Sequence, residues 1–418
     1  MKLINISFPI ILFLTFFSVQ SESQEIKWGI MLGSDKEEYV LNHVVDNDGN
    51  IYIPGKTKGD IGGKNQGQND GFLIKLDGAG KELWAVQFGS EGDEDIQWSA
   101  LDGSGNIYIT GFTTGKVDGK NSGKEDVLIV KYTPDGKLAW KKQIGTDSTD
   151  IAKGICADSN GYIYVTGMTA GRRGQVSNGK SDCFIIKLDQ DGNIIKTVQF
   201  GTEKDDLCYS VIPGINDGIF VCGTTWGDFE GKNHGVVDGF TGYFSSDLEL
   251  RGFHQFGSDG FDIPLVLKAD EKNDIFVAGT TSGDFASPQA GAGDCFVLRM
   301  DQKGEIIWKR QFGTDQNDGA RGIDINDAVS DKVFISGIIN LPPEKAFIRV
   351  YSKDGDVLFE RILEAQGFTG GTSGKDIHLD RKGNITHIGL TKVPLFGQVI
   401  GGNDVYIIKM EAKKFLLK

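Results

Sequence analysis

The stretch WKRQFGTDQND, residues 308–318, returns along the chain in related forms. Copies are WAVQFGSEGDE at 84–94, WKKQIGTDSTD at 140–150, KTVQFGTEKDD at 196–206 and GFHQFGSDGFD at 252–262. The glycine of this phrase recurs every 56 residues, at Gly33, Gly89, Gly145, Gly201, Gly257 and Gly313. A fixed period of this length indicates an array of one supersecondary unit.

Each repeat contains four short apolar segments with turn residues between them. In the second copy these segments are DIQWSALD (95–102), NIYITGFT (106–113), DVLIVKYT (126–133) and KLAWKKQIG (137–145). Asp, Asn and Gly stand at the two short breaks, as tight hairpin turns require. No amphipathic run is long enough for a helix, so the pattern predicts one antiparallel four-stranded sheet per repeat.

The order of the segments at the two ends of the chain predicts a closed ring. The third segment of the repeat occurs seven times, beginning at Phe72, Val127, Phe184, Phe240, Phe296, Phe347 and Val405. The chain ends after a third segment, and a segment of the fourth type, 26–33, opens it. Pairing the two ends would complete the last sheet and remove its exposed edge. We therefore predict an all-β fold, a seven-bladed β-propeller whose N-terminal strand completes the last blade.

The repeats resemble the SBBP family, which is named for a repeat of seven-bladed β-propellers. The shared motifs are D-x-F-x-x-K-x-D, W-x-x-Q-F-G and D-x-x-G-N-I-Y-I-T-G-x-T. They stand here as DCFIIKLD (182–189), WKRQFG (308–313) and DGSGNIYITGFT (102–113). The resemblance covers the mature chain and weakens in the sixth and seventh copies. It implies a secreted or surface propeller, and the family mostly has no assigned activity.

A more distant resemblance concerns KLDGAGKELW at 75–84, which is similar to the tryptophan-docking repeat of quinoprotein dehydrogenases. The tryptophan of that repeat packs between blades. Its position is occupied here by Trp28, Trp84, Trp140 and Trp308, whereas Lys196 and Gly252 replace it in two copies. Quinoprotein dehydrogenases usually have eight blades, and seven are predicted here.

The N-terminus and the charge of the chain indicate an exported protein. Residues 1–23 combine one lysine, an apolar run and small polar residues, which is typical of a secretory signal peptide. The predicted propeller domain is then 24–418, without a transmembrane segment, and we expect a monomer. A net charge of −14 argues against nucleic acid as a partner. The five cysteines are expected to be buried thiols, with a Cys208–Cys222 bridge left open.

One face of the predicted propeller carries the crossings between blades and the long loops between second and third strands. Six carboxylates recur on the crossings, at Glu38, Glu94, Asp150, Asp206, Asp262 and Asp318. A ring of hard oxygen ligands is a candidate calcium site. The alternative, which we favour, is that each carboxylate caps its own turn. A second series of aspartates begins the third strands, and a role in stabilising turns is again favoured over calcium binding. Its members are Asp70, Asp126, Asp182, Asp238, Asp294 and Asp404.

Residues that break the repeat are candidates for ligand binding. Trp226, Phe229 and His234 lie in the fourth long loop, and Phe285 lies in the fifth. Aromatic side chains on a loop can stack on a sugar or anchor a protein, and burial against the base of the loop is the alternative. Arg172 and Arg173 are interpreted as solvated loop charges.

No catalytic residue is assigned from the sequence. The five histidines form no metal-binding motif and no evident catalytic triad. His378 and His387 are close enough in sequence to meet across a hairpin, although a place in the core is favoured over metal ligation. No cofactor is identified, with calcium left open.

These observations favour an exported, non-catalytic propeller that binds protein or glycan through its long-loop face. Two alternatives stay open. One is an enzyme, either a quinoprotein-like oxidoreductase or a glycan hydrolase or lyase, with its site at the channel mouth. The other is a surface protein stabilised by calcium. Non-repeated polar residues that converge at the channel mouth would favour the enzyme, and an aromatic rim would favour binding.

Overall fold

A computed structural model describes residues 26–173, 179–214, 217–229, 233–364 and 370–412. In these ranges the chain forms 29 strands, which are arranged in seven antiparallel sheets. The predicted all-β fold, a seven-bladed β-propeller, is confirmed. The predicted signal peptide lies outside the described residues. Within them, no helix has the length and apolar character needed to cross a membrane.

The seven sheets are the blades, numbered along the chain, and each places its first strand innermost. The strands of blades 1 to 3, with the N-terminal β1, are β1 Ile26–Leu32, β2 Glu38–Tyr39, β3 Val44–Val45, β4 Ile51–Thr57, β5 Asp70–Leu76, β6 Glu82–Phe88, β7 Glu94–Leu101, β8 Ile107–Thr113, β9 Asp126–Tyr132, β10 Leu138–Ile144, β11 Asp150–Ala157, β12 Ile163–Thr169, β13 Asp182–Leu188 and β14 Ile194–Phe200.

Blades 4 to 7 continue the same order. Their strands are β15 Asp206–Pro213, β16 Ile219–Thr225, β17 Asp238–Phe244, β18 Leu250–Phe256, β19 Asp262–Ala269, β20 Ile275–Thr281, β21 Asp294–Met300, β22 Ile306–Phe312, β23 Gly319–Asp324, β24 Lys332–Ile339, β25 Lys345–Ser352, β26 Val357–Leu363, β27 Thr372–Leu379, β28 Asn384–Thr391 and β29 Asp404–Glu411.

The ring closes as the sequence predicts. Strand β1 pairs antiparallel with β29, with Ile30 opposite Ile407, and becomes the outer strand of blade 7. Both side chains belong to a buried cluster that also contains Phe72 of blade 1. The closing strand is therefore held by a sheet ladder and by packing between blades, and both interactions favour the closed ring.

The tryptophans of the repeat pack between blades, as expected. The Trp84 indole lies against Gly136 of the next blade and donates its N–H to the carbonyl oxygen of Pro134 at 3.3 Å. Lys75 donates to the same oxygen at 3.0 Å. In blade 4, where Gly252 replaces the tryptophan, the His254 ring takes the corresponding place against the next blade. His254, two residues after Gly252, thus fills the packing position from which the tryptophan is missing.

All five cysteines are buried and unbridged. Cys208 and Cys222 lie on neighbouring strands, but their cross-strand partners are Gly223 and Ser210. The side chains belong to the apolar core, in agreement with the expected buried thiols.

Candidate functional site

The glycine of the repeated phrase is required by the carboxylate beside it. A Cβ atom built on the six glycines would lie 1.8–2.6 Å from an Oδ1 atom of the second aspartate series. Such an approach is far inside a van der Waals contact, so no side chain fits there. The six contacts are Gly33 to Asp404, Gly89 to Asp70, Gly145 to Asp126, Gly201 to Asp182, Gly257 to Asp238 and Gly313 to Asp294.

The six carboxylates of the first series cap the crossings between blades. Each accepts the backbone N–H and the hydroxyl of the Ser or Thr four residues earlier, at 2.5–3.0 Å. All six are buried, with at most 3% of any of them exposed. These hydrogen bonds are the ones expected if each carboxylate caps its own turn. The members are Glu38, Glu94, Asp150, Asp206, Asp262 and Asp318.

Burial of these carboxylates disfavours their ionised form. It raises the pKa values of Glu38, Glu94 and Asp262, although hydrogen bonds from Ser and Thr oppose the shift. For Asp206 burial raises the pKa to about 6. Within the described ranges, no three acidic, His or Cys side chains converge to form a metal site. Calcium binding by the ring stays the less favoured alternative.

The glutamine of the phrase braces the long loop, a role that the sequence analysis did not assign. The Gln143 amide N–H₂ donates to the Asp126 carboxylate and to the carbonyl oxygen of Gly115, both at 2.9 Å. Its carbonyl oxygen accepts the N–H of Val117 at 3.0 Å. The same three contacts recur in four further blades, at Gln87, Gln199, Gln255 and Gln311.

The four candidate ligand-binding residues fall into two groups. The Phe229 ring stacks on Phe253 at 4.4 Å between centroids, and Phe285 is 3% exposed beside a core phenylalanine. Both side chains therefore secure the base of a loop. Trp226 is 39% exposed, and the half-exposed His234 holds the Asp238 carboxylate through Nδ1 at 2.8 Å. Of the four residues, the structure leaves Trp226 and His234 accessible to a ligand.

Trp226 has apolar neighbours in its sector of the long-loop face. Val236, at the end of the same loop, and Phe261, on the crossing to blade 5, are 50% and 44% exposed. The Val236 N–H donates to the carbonyl oxygen of Gly260, which brings the end of the loop next to the crossing that carries Phe261. We call Trp226, Val236 and Phe261 the rim patch.

The rim patch also breaks the repeat. Phe261 stands where Glu37, Asp93, Thr149, Asp205 and Asn317 stand in other copies, and Trp226 stands where Lys58, Thr114, Ala170 and Ser282 stand. Trp226 was among the residues predicted from the sequence, whereas Val236 and Phe261 were not. Comparing each position with its counterparts one period away would have found both.

Arg173 is not the solvated loop charge that was expected. Its guanidinium group lies over the Phe184 ring at 4.6 Å and forms a 2.8 Å ion pair with the buried Asp150. Arg173 occupies the loop position that Val117 and Phe285 fill in other blades. At all three positions the backbone N–H donates to the side-chain oxygen of the glutamine brace. The prediction was wrong because this slot accepts a flat cation as well as an apolar side chain.

A second set of non-repeated residues lines the central channel. In blades 2 to 7 the innermost strand carries a one-residue bulge. The bulged residue comes three positions after the capping carboxylate in blades 2 to 6 and three positions after Thr372 in blade 7. The residues on either side mostly pack in the blade cores, so the bulged side chain faces the axis of the ring. These channel residues are Gln97, Lys153, Tyr209, Leu265, Arg321 and Lys375.

The next residue on β7 closes the channel below this layer. Trp98 packs with the core of blades 2 and 3 and also with the cluster of blades 5 and 6 that includes Leu265. Its indole therefore extends across the axis. The channel residues therefore lie between this indole and the long-loop face.

The histidines of blade 7 do not meet as a pair. His387 lies opposite Ile377, is fully buried, and burial lowers its pKa to about 3, which keeps the ring neutral. His378 projects from the neighbouring position and contacts Asp324 through Nδ1 at 3.2 Å. It also lines a cavity of about 220 Å³ on the tight-turn face. Nothing in this arrangement brings the two rings to one metal ion.

The comparisons with known proteins agree with the architecture. The profile of the SBBP β-propeller repeat matches residues 139–172. Regulatory protein FlaEY of Caulobacter vibrioides is 26% identical over 198 residues, which cover 43% of this chain and 20% of that protein. An uncharacterized WD repeat-containing protein of Acanthamoeba polyphaga mimivirus is 24% identical over 193 residues, 36% of this chain and 14% of that protein. The chain thus spans a fifth or less of these relatives.

Solved structures share the fold at low sequence identity. A polysaccharide lyase, an ulvan lyase, has a TM-score of 0.53 and 11% identity, with 91% of this chain and 96% of that chain covered. Drosophila plexin A in complex with semaphorin 1b has a TM-score of 0.52 and 10% identity, with 94% and 88% covered. At this identity the likeness shows the fold alone. The seven four-stranded blades make the chain a seven-bladed β-propeller, and its residues 139–172 are similar to the SBBP β-propeller repeat.

Proposed function

We propose that this propeller is a binding scaffold that holds a partner against its long-loop face at the rim patch. The observation that carries the proposal is the exposure of Trp226, Val236 and Phe261 at positions that are mostly polar in the other repeats. Aromatic side chains on a rigid frame supply contact area at low cost in conformational entropy, and they are enriched among the residues that dominate binding energies.

The chemistry of the rim patch favours a protein partner over a glycan. The patch includes an aliphatic side chain, Val236, which exposes half of its surface. Apolar contacts of this kind suit a protein, whereas a sugar also needs convergent hydrogen-bond donors and acceptors. His234, close to Trp226 in the same loop, already uses Nδ1 to hold Asp238. A glycan partner is therefore an outcome that the test must be able to detect.

The location that we propose is outside the cytoplasm, and residues 1–23 support it through their signal-peptide pattern. N-terminal sequencing of the protein from its natural source would locate the cleavage. Intact Met1 at the N-terminus of the isolated protein would contradict this part of the proposal.

The experiment compares a rim-patch variant, Trp226→Ser with Phe261→Ser, against a matched control, Leu138→Ser with Ile306→Ser. The control removes two similarly exposed apolar side chains from outer strands of blades 2 and 5. Each protein is crosslinked to the exported fraction of the source organism and also applied to a glycan array. We expect specific protein partners that wild type and control retain and the rim-patch variant loses. Equal partner sets for all three proteins would overturn the proposal. Binding to glycans alone would show that the partner is a glycan and not a protein.

One observation favours a second candidate function, an enzyme with its site at the channel mouth. The polar channel residues differ from blade to blade, as catalytic residues on a repetitive scaffold do, and they include Lys153, Tyr209 and Arg321. Turnover of any substrate that disappears in an Arg321→Met variant and persists in the rim-patch variant would favour the enzyme.

A further inference from the structure

The wall of the channel contains three cations in a protein of net charge −14. Lys153, Arg321 and Lys375 occupy the bulge positions of β11, β23 and β27. Two of these strands are neighbours, because Gly322 lies against the backbone of Asp376. Arg321 and Lys375 therefore flank one junction between blades, and Lys153 belongs to a blade on the other side of the channel.

None of the three cations forms an ion pair with a described residue. Among the described residues, Lys375 forms no hydrogen bond or ion pair, although only 8% of it is exposed. The Nε atom of Arg321 is buried and likewise has no acceptor in that part of the chain. Lys153 donates to the amide oxygen of Gln97 at 3.0 Å, which leaves its charge uncompensated. Buried cations are ordinarily paired. The carboxylate whose charge acts on both Arg321 and Lys375, Glu344, forms no ion pair with either of them among the described residues.

The two neighbouring charges also act on one another. Burial first, and then the Arg321 charge, lowers the pKa of Lys375 to about 8, while the charge of Glu344 opposes the shift. Burial lowers the pKa of Arg321 as well, and the charge of Glu344 opposes this shift. The pKa of Lys153 is lowered by burial and by Lys56, and Asp95 opposes the shift. An anion between these groups would relieve both the burial cost and the repulsion.

We propose that the channel binds an oxyanion, the carboxylate or phosphate group of a small ligand, between Arg321 and Lys375, with Lys153 on the opposite wall. The guanidinium fork of Arg321 can bind two oxygens of either group, and the ammonium group of Lys375 supplies a point charge. The ligand enters from the long-loop face, because Trp98 closes the channel below. This site is separate from the rim patch, and the two proposals can fail independently.

The test measures binding of sodium phosphate and of sodium acetate at constant ionic strength, by calorimetry and by thermal melting. We expect saturable binding and a higher melting midpoint for the wild type with at least one probe, and the tighter probe identifies the group that the ligand carries. Lys375→Met and Arg321→Met should each weaken binding by about tenfold or more. The exposed Lys120→Met on the same face is the matched control and should bind as the wild type does.

Two further readouts separate a site from a structural effect. Without anion, Lys375→Met should melt above the wild type, since it removes an unpaired buried charge. Acetate binding should weaken as the pH rises from about 7 to 9, because Lys375 loses its proton near pH 8 while acetate keeps its charge. Equal midpoint shifts in wild type, Lys375→Met and Arg321→Met would overturn the proposal, as would the absence of binding by both probes.

Discussion

At residue 145 a glycine is needed because the carboxylate of Asp126 occupies the space where a side chain would begin. The glutamine two positions earlier, Gln143, binds the same carboxylate and the long loop. The tryptophan of the phrase, Trp140, packs on the next blade and donates to its turn at 3.0 Å. Trp140, Gln143 and Gly145 therefore each make a different contact that holds the blades and loops together.

Replacement of Gly145 by alanine tests this account of the phrase. The new methyl group would lie 1.8 Å from Asp126 Oδ1, so the turn must shift. We expect a loss of about 1–3 kcal/mol in the free energy of unfolding, measured by urea denaturation. Gly103→Ala is the control, because a Cβ there meets nothing within 4 Å. Equal stability of the two variants would contradict the account.

Residue roles that follow from repetition could be predicted, and those that depend on contacts could not. The capping carboxylates and the docking tryptophans recur at one spacing, so the pattern indicated them. The glutamine brace recurs equally well, but its partners are backbone atoms of another strand and loop, which no sequence pattern shows. For Phe229 and Phe285 the sequence left both ligand binding and burial against the loop open, and only the packing shows that they are covered.

Among the elements, the crossings between blades bury a carboxylate in each of six copies. Burial raises the pKa of Asp206 to about 6, so the folded protein holds a proton that the unfolded chain releases near pH 4. The stability linked to this proton is fully present below about pH 4 and is lost as the pH rises through 6.

The pH dependence can be measured against the Asp206→Asn variant. Between about pH 4 and 6.5, we expect the wild type to lose up to about 3 kcal/mol of unfolding free energy relative to Asp206→Asn. Asp118→Asn, which changes an exposed carboxylate, should follow the wild type. Parallel pH profiles for wild type and Asp206→Asn would show that the carboxylate titrates normally.

Removal of calcium tests the alternative role of the same carboxylates. Their oxygens already accept N–H and hydroxyl groups of the crossing. We expect the same melting midpoint with millimolar calcium and with chelator, because only a ligand that binds the folded state raises stability. A calcium-dependent rise that disappears in Glu94→Gln would establish the metal site instead.

For the innermost strands, the number and order could be predicted from the sequence but the bulges could not. Their number and order follow from the period of 56 residues. The bulges do not, since one extra residue in a strand leaves no mark in a short apolar pattern. Arg321 and Lys375 therefore could not be placed on the channel wall before the register of β23 and β27 was known.

For the whole molecule, closure by β1 is the feature on which the ring depends. Ile30 and Leu32 of this strand are buried against blade 1, and its backbone pairs with β29. Deletion of residues 24–33 would expose the edge of β29 to pairing with another chain. We expect oligomers in size-exclusion chromatography and a lower melting midpoint. A monomer with an unchanged midpoint would show that the ring closes without this strand.

Function on such a scaffold is expected where the copies differ, because shared residues build the blades. The rim patch and the channel cations are two such places, and both lie toward the long-loop face. The tight-turn face instead carries turns in which an aspartate accepts backbone N–H groups, such as Asp102 with Ser104 and Asn106.

The central claim is that the long-loop face binds the partner, and hydrogen–deuterium exchange with a captured partner tests it most directly. We predict that the partner slows exchange in the loop 226–237 and in the crossing 257–262, and leaves the tight turns unchanged. Slower exchange at the tight turns, with none in those two segments, would contradict the claim.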